Sequence, residues 1–331
     1  IKLRSSKKTI NFNILKIILF SFFSFLIIIS IIVFAFKDYF NINNFLIEVE
    51  KKTNLSIVLN QESKFKYYPD IIFSNSSVDI KNESASIFIR ESDIKIMKSY
   101  WPLSPLNINL KAPVMKVNGL EINNIFIKAK YNNNILNITE FKGNIAEGNF
   151  QISGNTQLSE LIPFALNGKF NNISLNTFLQ QSEIAVWDRL TVKLSSDNFK
   201  INGYASNKKN LLKSIEGEIN LSGSAYLTTT DEERFGAALL SLLVEKIPSI
   251  SSLSKSLNFI ISKYGNIPTK IKGGVNINNG KIFSDNIQIY NNLGQSKMIA
   301  SIDILANEID GKIFLYENNE VFIETSLEGS I

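Results

Sequence analysis

From about residue 106 onward the chain alternates apolar and polar positions with a period of two. Ile108, Leu110, Ala112 and Val114 are separated by polar or proline positions, and Ile125, Ile127, Ala129 and Tyr131 repeat the pattern. The longest run joins Ile215, Gly217, Ile219, Leu221, Gly223, Ala225 and Leu227, interleaved with Glu216, Glu218, Asn220, Ser222, Ser224 and Tyr226. Successive side chains of a strand point to opposite faces, so each run predicts a strand with one apolar and one wet side, the pattern of antiparallel sheet. Four segments, 166–170, 215–219, 271–275 and 309–313, place glycine in the middle of the apolar side. Glycine there sheds packing area and costs backbone entropy, which predicts tight curvature, bulges or close approach of another backbone. The irregular intervals argue for a meander with insertions.

The period changes between 231 and 264. Thr230 and Glu233 have the spacing of a capping box, and Phe235, Leu239, Leu242, Leu243 and Ile247 follow; beyond Pro248 come Ile250, Leu253, Leu257, Ile260 and Tyr264. Spacings of three and four predict an apolar stripe on two helices broken at the proline. The stripe predicts either a plug packed over the sheet or a movable lid or membrane-surface helix, and its few charges weaken purely electrostatic attachment. Asp231, Glu232 and Glu233 read as helix-start charges. Nearer the N-terminus, residues 43–52 predict a short amphipathic helix with Phe45, Leu46 and Val49 on its apolar side. A strand at 55–59, a turn or edge at 67–69 and an extended stretch at 71–80 follow. Pro102 and Pro105 make 99–105 a loop and an internal boundary.

The remaining pattern is a run of twenty residues without a formal charge, Ile17 to Phe36. At 1.5 Å of rise per residue it spans about 30 Å, the thickness of bilayer hydrocarbon. The leader before it carries Lys2, Arg4, Lys7, Lys8 and Lys16 and no acidic residue, which predicts a cytoplasmic N-terminus. The exit, Val33 to Tyr39, has no small-residue cleavage site, so the run reads as an uncleaved anchor. The expected organisation is a cytoplasmic leader at 1–16, a transmembrane helix at 17–36, an α/β segment at 37–105 and a β-rich region at 106–331 with a helical insertion near 231–264.

Composition narrows the chemistry. The chain has no Cys and no His, which removes disulfides, thiol nucleophiles, thiolate metal sites and the commonest general base and transition-metal ligand. The net charge of +5 equals the five leader charges, so the rest is balanced and gives no reason to expect nucleic acid as a partner. Carboxylate pairs, Ser-Lys chemistry and oxygen-ligated calcium are left open; Asp303 and Asp310 have the spacing to lie near one another across strands, and they do not by themselves support a glycosidase. No enzymatic role, cofactor or metal is expected. Lys208, Lys209 and Lys213 read as a solvated turn, with contact to anionic headgroups as the alternative, and Trp101 and Trp187 as core or loop anchors, with an interfacial place as theirs.

The stretch from Val49 through Thr53, Ile57, Leu59, Phe65, Tyr68, Pro69 and Val78 to Ile80 resembles the opening of the AsmA-like family of bacterial inner-membrane-anchored envelope proteins, related to the TamB-like and bridge-like lipid transport proteins. The far end, Ile271–Phe283, Asp285–Ile287, Gly294, Ala300–Ala306 and Ile309–Ile313, resembles that family's C-terminal region. The resemblance implies a single-pass inner-membrane protein with a β-rich periplasmic part, associated with lipid transport or outer-membrane assembly. The expected fold is mainly β: a curved, groove-like antiparallel sheet with short helical insertions. The expected function is shielding of phospholipid or other envelope-lipid acyl chains in that groove, with Ile215, Ile219, Leu221 and Leu227 as candidate lipid-facing residues. The alternative is a structural or adaptor protein with a closed β core that binds inner- or outer-membrane assembly partners.

Overall fold

The computed structural model describes residues 56–59, 64–66, 70–81, 86–97, 105–117, 119–157, 159, 161–181, 188–205, 208–243, 248–306 and 308–330. The alternating runs form one antiparallel sheet: β1 (Ser56–Leu59), β2 (Lys64–Lys66), β3 (Ile71–Lys81), β4 (Ser86–Met97), β5 (Leu106–Val117), β6 (Leu120–Asn132), β7 (Ile135–Ile145) and β8 (Gly148–Gln157). It continues through β9 (Pro163–Ser174), β10 (Leu190–Tyr204), β11 (Glu216–Leu227), β12 (Thr269–Asn278), β13 (Lys281–Tyr290), β14 (Gln295–Asp303), β15 (Glu308–Glu317) and β16 (Glu320–Ser330). Strands from β3 onward pair with their neighbours in chain order, and β1 and β2 both pair with β3. Four helices interrupt the described meander: α1 (Leu175–Gln181), α2 (Lys208–Ser214), α3 (Asp231–Leu243) and α4 (Pro248–Tyr264). The lysines read as a solvated turn at 208–213 are therefore in a helix.

Abundant asparagine has a structural use here. Two-residue loops between antiparallel strands need positive φ at both central positions, which asparagine and glycine tolerate best. Asn133–Asn134, Asn279–Gly280 and Asn318–Asn319 fill three such loops with φ between 47° and 80°. Positive φ also marks Asn75, Glu91 and Asn124 inside β3, β4 and β6, where pairing slips between Phe73 and Ser76 and between Asn123 and Phe126. These bulges switch the parity of the inward positions. In β5 the buried set runs Ile108, Leu110, Ala112 and then Met115, Val117, so Val114, expected in the first row, is only half-buried. At the same line Ser76 and Ser92 are fully buried and hydrogen-bond each other at 3.1 Å, so neither hydroxyl is left unpaired.

The main core lies on one face of the N-terminal half, where Ile96, Ile108, Met115, Leu120, Ile127, Ala129 and Leu136 are at most 2% exposed. Phe178 of α1 and Leu211 of α2 join it from opposite ends of β9 and β10. In the C-terminal half α4 covers part of the same sheet, packing Phe259 and Tyr264 against Leu315 and Ile323.

The expected curved groove does not form. Pairing follows one path from β1 to β16, and among the described residues no strand pairing joins its two ends. The sheet is open, neither curled into a groove nor closed round a core, which overturns both the lipid-shielding groove and the closed-core adaptor. Alternation specifies that a strand has an apolar side; it carries no instruction for how many strands bend that side around a ligand. The leader, the segment 17–36, the 43–52 helix, Trp101 and Trp187 lie outside the described residues. Among the described residues no helix is long and apolar enough to cross a membrane.

Candidate functional site

Strand β11 alternates without a slip along its length: Gly217, Ile219, Leu221, Gly223 and Ala225 are half-buried and the residues between them exposed. Ile219 and Leu221 therefore share a face with Leu227, which is buried at the strand end. Ile215 precedes the strand and is fully enclosed; its N–H donates to the Leu211 carbonyl and its own carbonyl accepts from Asn279. Of the four residues singled out in the sequence, Ile215 and Leu227 are core, and Ile219 and Leu221 reach a partly open surface.

Register extends that surface across the C-terminal strands. Leu221 pairs with Gly273, and Ile287, Met298 and Ile313 continue the row through β13, β14 and β15. A second row runs from Gly217 through Ile277, Ile282, Ile302 and Ile309. Between them lie smaller side chains: Ser284 pairs with Ala300, and Ala300 with Gly311. Leu221, Ile287, Met298, Ile313, Ile282 and Ile302 are all only partly buried, Ile282 packing on the main core and Ile313 on the cluster under α4, whereas the equivalent face of β5 to β7 is largely sealed. Five strands at about 4.8 Å spacing make the strip roughly 19 Å across.

One boundary of the strip is built by α4. Phe259 and Tyr264 sit over Leu315 and Ile323, and Tyr264 donates its hydroxyl to the Ile289 carbonyl at 3.2 Å and also bonds Ser296. Burial raises the Tyr264 phenol above its ordinary value, against the opposing pull of the Ser296 hydrogen bond. The rows themselves carry no ionisable side chain, so the strip offers apolar contact and no acid–base chemistry. The registration of Ile287, Met298 and Ile313 with Leu221 depends on slips at Lys272/Asn276 and Ser284/Ile287, which periodicity does not reveal.

The charged candidates resolve into structure. Asp303 pairs in register with Glu308 and Asp310 with Ser301, so the two aspartates do not face each other as a pair. Asp303 accepts the Leu305 and Ala306 N–H groups at 3.0 and 2.9 Å and contacts Lys281, which together hold its carboxyl below the usual range. Its role is to tie the β14–β15 turn. Thr230 and Glu233 form the expected reciprocal cap, and Glu233 also meets Arg189. Glu147 is lowered by its hydrogen bonds to Thr177 and Lys193. On the other side of the sheet a shallow polar depression at the bulge line is lined by Glu91, Asp93, Lys111 and Lys142 around Phe126, with the Lys142 ammonium 4.8 Å from the ring centroid. Among the described residues no group of acidic side chains is arranged to hold a metal ion.

Comparison of the chain with known protein families, with curated proteins and with solved structures finds no match.

Proposed function

We propose that this protein is a membrane-tethered, non-enzymatic docking platform whose working surface is the partly open apolar strip of β11 to β15, and that its occupant is an amphipathic segment of a partner polypeptide. The observation that carries this reading is the partly buried row Leu221, Ile287, Met298 and Ile313, contiguous across strands and meeting α4 at Ile313. Contiguous apolar surface of this kind marks interaction sites more often than scattered exposed hydrophobes do. The strip is shallow and open on its long side. That suits the apolar face of an amphipathic helix or hairpin, whose polar face stays wet. The anchor reading of Ile17–Phe36, the basic leader and the AsmA-like resemblance support placing the sheet on the periplasmic side of a bacterial inner membrane.

Site-specific photo-crosslinking in the native membrane tests the reading. A photoreactive residue at Leu221 or Met298 is expected to give a discrete polypeptide adduct, and one at Ser222 or Lys297, which point to the opposite face, none. Adducts of equal yield from both faces, lipid adducts alone, or no adduct from either would reject the platform.

A further inference from the structure

We infer that the outer edge of β16 is a second docking site, which takes up an extended segment of a partner polypeptide that alternates basic with apolar residues. β16 ends the pairing path, and among the described residues no strand meets its outer side. Its eleven residues include no proline and no lysine, and from Ile323 to Ser330 it pairs with β15 without a slip. That stretch makes an edge about 26 Å long, along which alternate residues turn N–H and C=O outward. An edge so long and regular is a template for another strand, whereas β1 and β2, at the other end of the sheet, are four and three residues long.

Helix α4 runs wider than the sheet beneath it. Tyr264 hydrogen-bonds Ser296 of β14, Phe259 packs on Leu315 of β15 and Ile323 of β16, and Ser256 hydrogen-bonds Thr325 of β16. The helix therefore crosses from β14 to β16 over a rise of about 12 Å, close to the two strand spacings it covers. Its first eight residues, Pro248 to Lys255, carry it about 12 Å further, past β16. Under that overhang there is width for two more strands. At its root Leu257, one turn before Ile260, is 44% exposed, and Phe322, whose ring stacks on Phe259 at 6.2 Å, is 48% exposed. A strand laid against β16 brings its inward side chains to these two.

Charge selects the occupant. Side chains of β16 alternate between Ile323 and Thr325, which meet α4, and Glu324, Ser326 and Glu328, which are exposed on the opposite side. Glu328 pairs across with Asp310, and β15 and β16 together hold six carboxylates against one lysine, Lys312, which is engaged by Glu324. An incoming strand with basic residues on that side meets opposite charge, and an acidic one meets like charge. A second copy of β16 is disfavoured on the same ground. Glu320, Glu324 and Glu328 recur every four residues, so antiparallel self-pairing sets glutamate opposite or diagonal to glutamate in any register. The inference rests on neither the apolar strip nor the membrane tether.

Full-length protein in detergent would be titrated with a decapeptide alternating lysine with valine, with fluorescence anisotropy reading affinity and amide exchange reading position. The expected result is saturable binding that slows exchange in β16 and leaves β1 to β3 unchanged. A peptide with glutamate for lysine should bind about tenfold more weakly, as should one N-methylated at every residue, which keeps the charges and removes the backbone donors. Glu324→Lys combined with Glu328→Lys should reverse the preference between the lysine and glutamate peptides, with circular dichroism unchanged. Equal binding of the N-methylated peptide overturns strand addition in favour of charge alone, and an unreversed preference overturns the glutamates as its determinant. Protection confined to strands other than β16, or no binding, overturns the site. Sedimentation showing that the chain self-associates through β16 without peptide overturns the basic partner in favour of a second copy.

Discussion

A methyl group on Gly217 would lie 2.4 Å from the Lys200 carbonyl oxygen, and one on Gly311 would lie 2.5 Å from that of Ile299. Both distances are impossible without moving a neighbouring strand, so Gly217→Ala and Gly311→Ala should each destabilise the fold by about 1–3 kcal/mol. Gly236 stands in a helix with open space around it. There Gly236→Ala should stabilise by up to about 1 kcal/mol. Denaturant unfolding of the three variants checks the contrast, and equal effects would remove steric contact as the reason for the strand glycines. Tyr264 yields a pH dependence at the same scale. Burial lifts its folded pKa above the ordinary 10.0, so the folded state keeps the proton where the unfolded chain begins to lose it. This contribution is whole below about pH 10 and is lost as pH rises through the folded value. Melting temperatures of the native chain should therefore fall in the alkaline range with a component that Tyr264→Phe lacks. The variant should itself cost about 1 kcal/mol, since Ser296 loses its partner.

Among elements, the α3–α4 hairpin combines the most legible start with the least legible destination. Thr230 Oγ1 accepts the Glu233 N–H and Glu233 accepts the Thr230 N–H in return, the box that the spacing of the two residues announces. Thr230→Ala should destabilise α3 by about 1 kcal/mol. Amide exchange should then quicken across Asp231–Leu243, while β5 to β7 stay unchanged. Exchange that quickens everywhere would mean that the cap supports the whole sheet. The proline expected to divide the stripe between two helices does so, opening α4 at the first-turn position where its missing N–H costs nothing. Which side of α4 meets the sheet was decided by Phe322, Leu315 and Ser296, residues up to sixty-three positions downstream of Phe259.

For the whole molecule, the two halves of one sheet differ in how well their apolar side is covered. Residues of β5 to β7 on that side are largely sealed, those of β12 to β15 mix buried positions such as Ile277 and Leu315 with partly buried ones such as Ile287, Met298 and Ile302, and β16 is an edge with Val321 and Phe322 at 51% and 48% exposure. Local opening is easiest where few apolar contacts resist it. Native-state amide exchange should therefore be slowest in β5 to β7, faster in β12 to β15 and fastest in β16. Uniform protection across the sheet would show that the strip is covered in solution, by a second copy or otherwise. The same asymmetry places the proposed docking surface in the C-terminal half.

The spacing of apolar side chains, two along the strands and three or four near 231–264, determined by itself that this chain makes strands, which side of most of them is apolar, and that residues near 231–264 leave the sheet as helices. Those are local properties, set by backbone geometry within a few residues. The same local signal misplaced Val114, because a bulge in the neighbouring strand switches parity without leaving a mark in the alternation of β5. It also could not distinguish Ile215 and Leu227, which are enclosed, from Ile219 and Leu221, which are half-open, since all four fall on the apolar side of one run. Only the tertiary structure decided that the sheet stays open, that slips bring Ile287, Met298 and Ile313 into line with Leu221, and that α4 covers one end of the face. Each of those outcomes depends on contacts between segments far apart in the chain, and period-two alternation is satisfied equally by an open, a curled or a closed sheet.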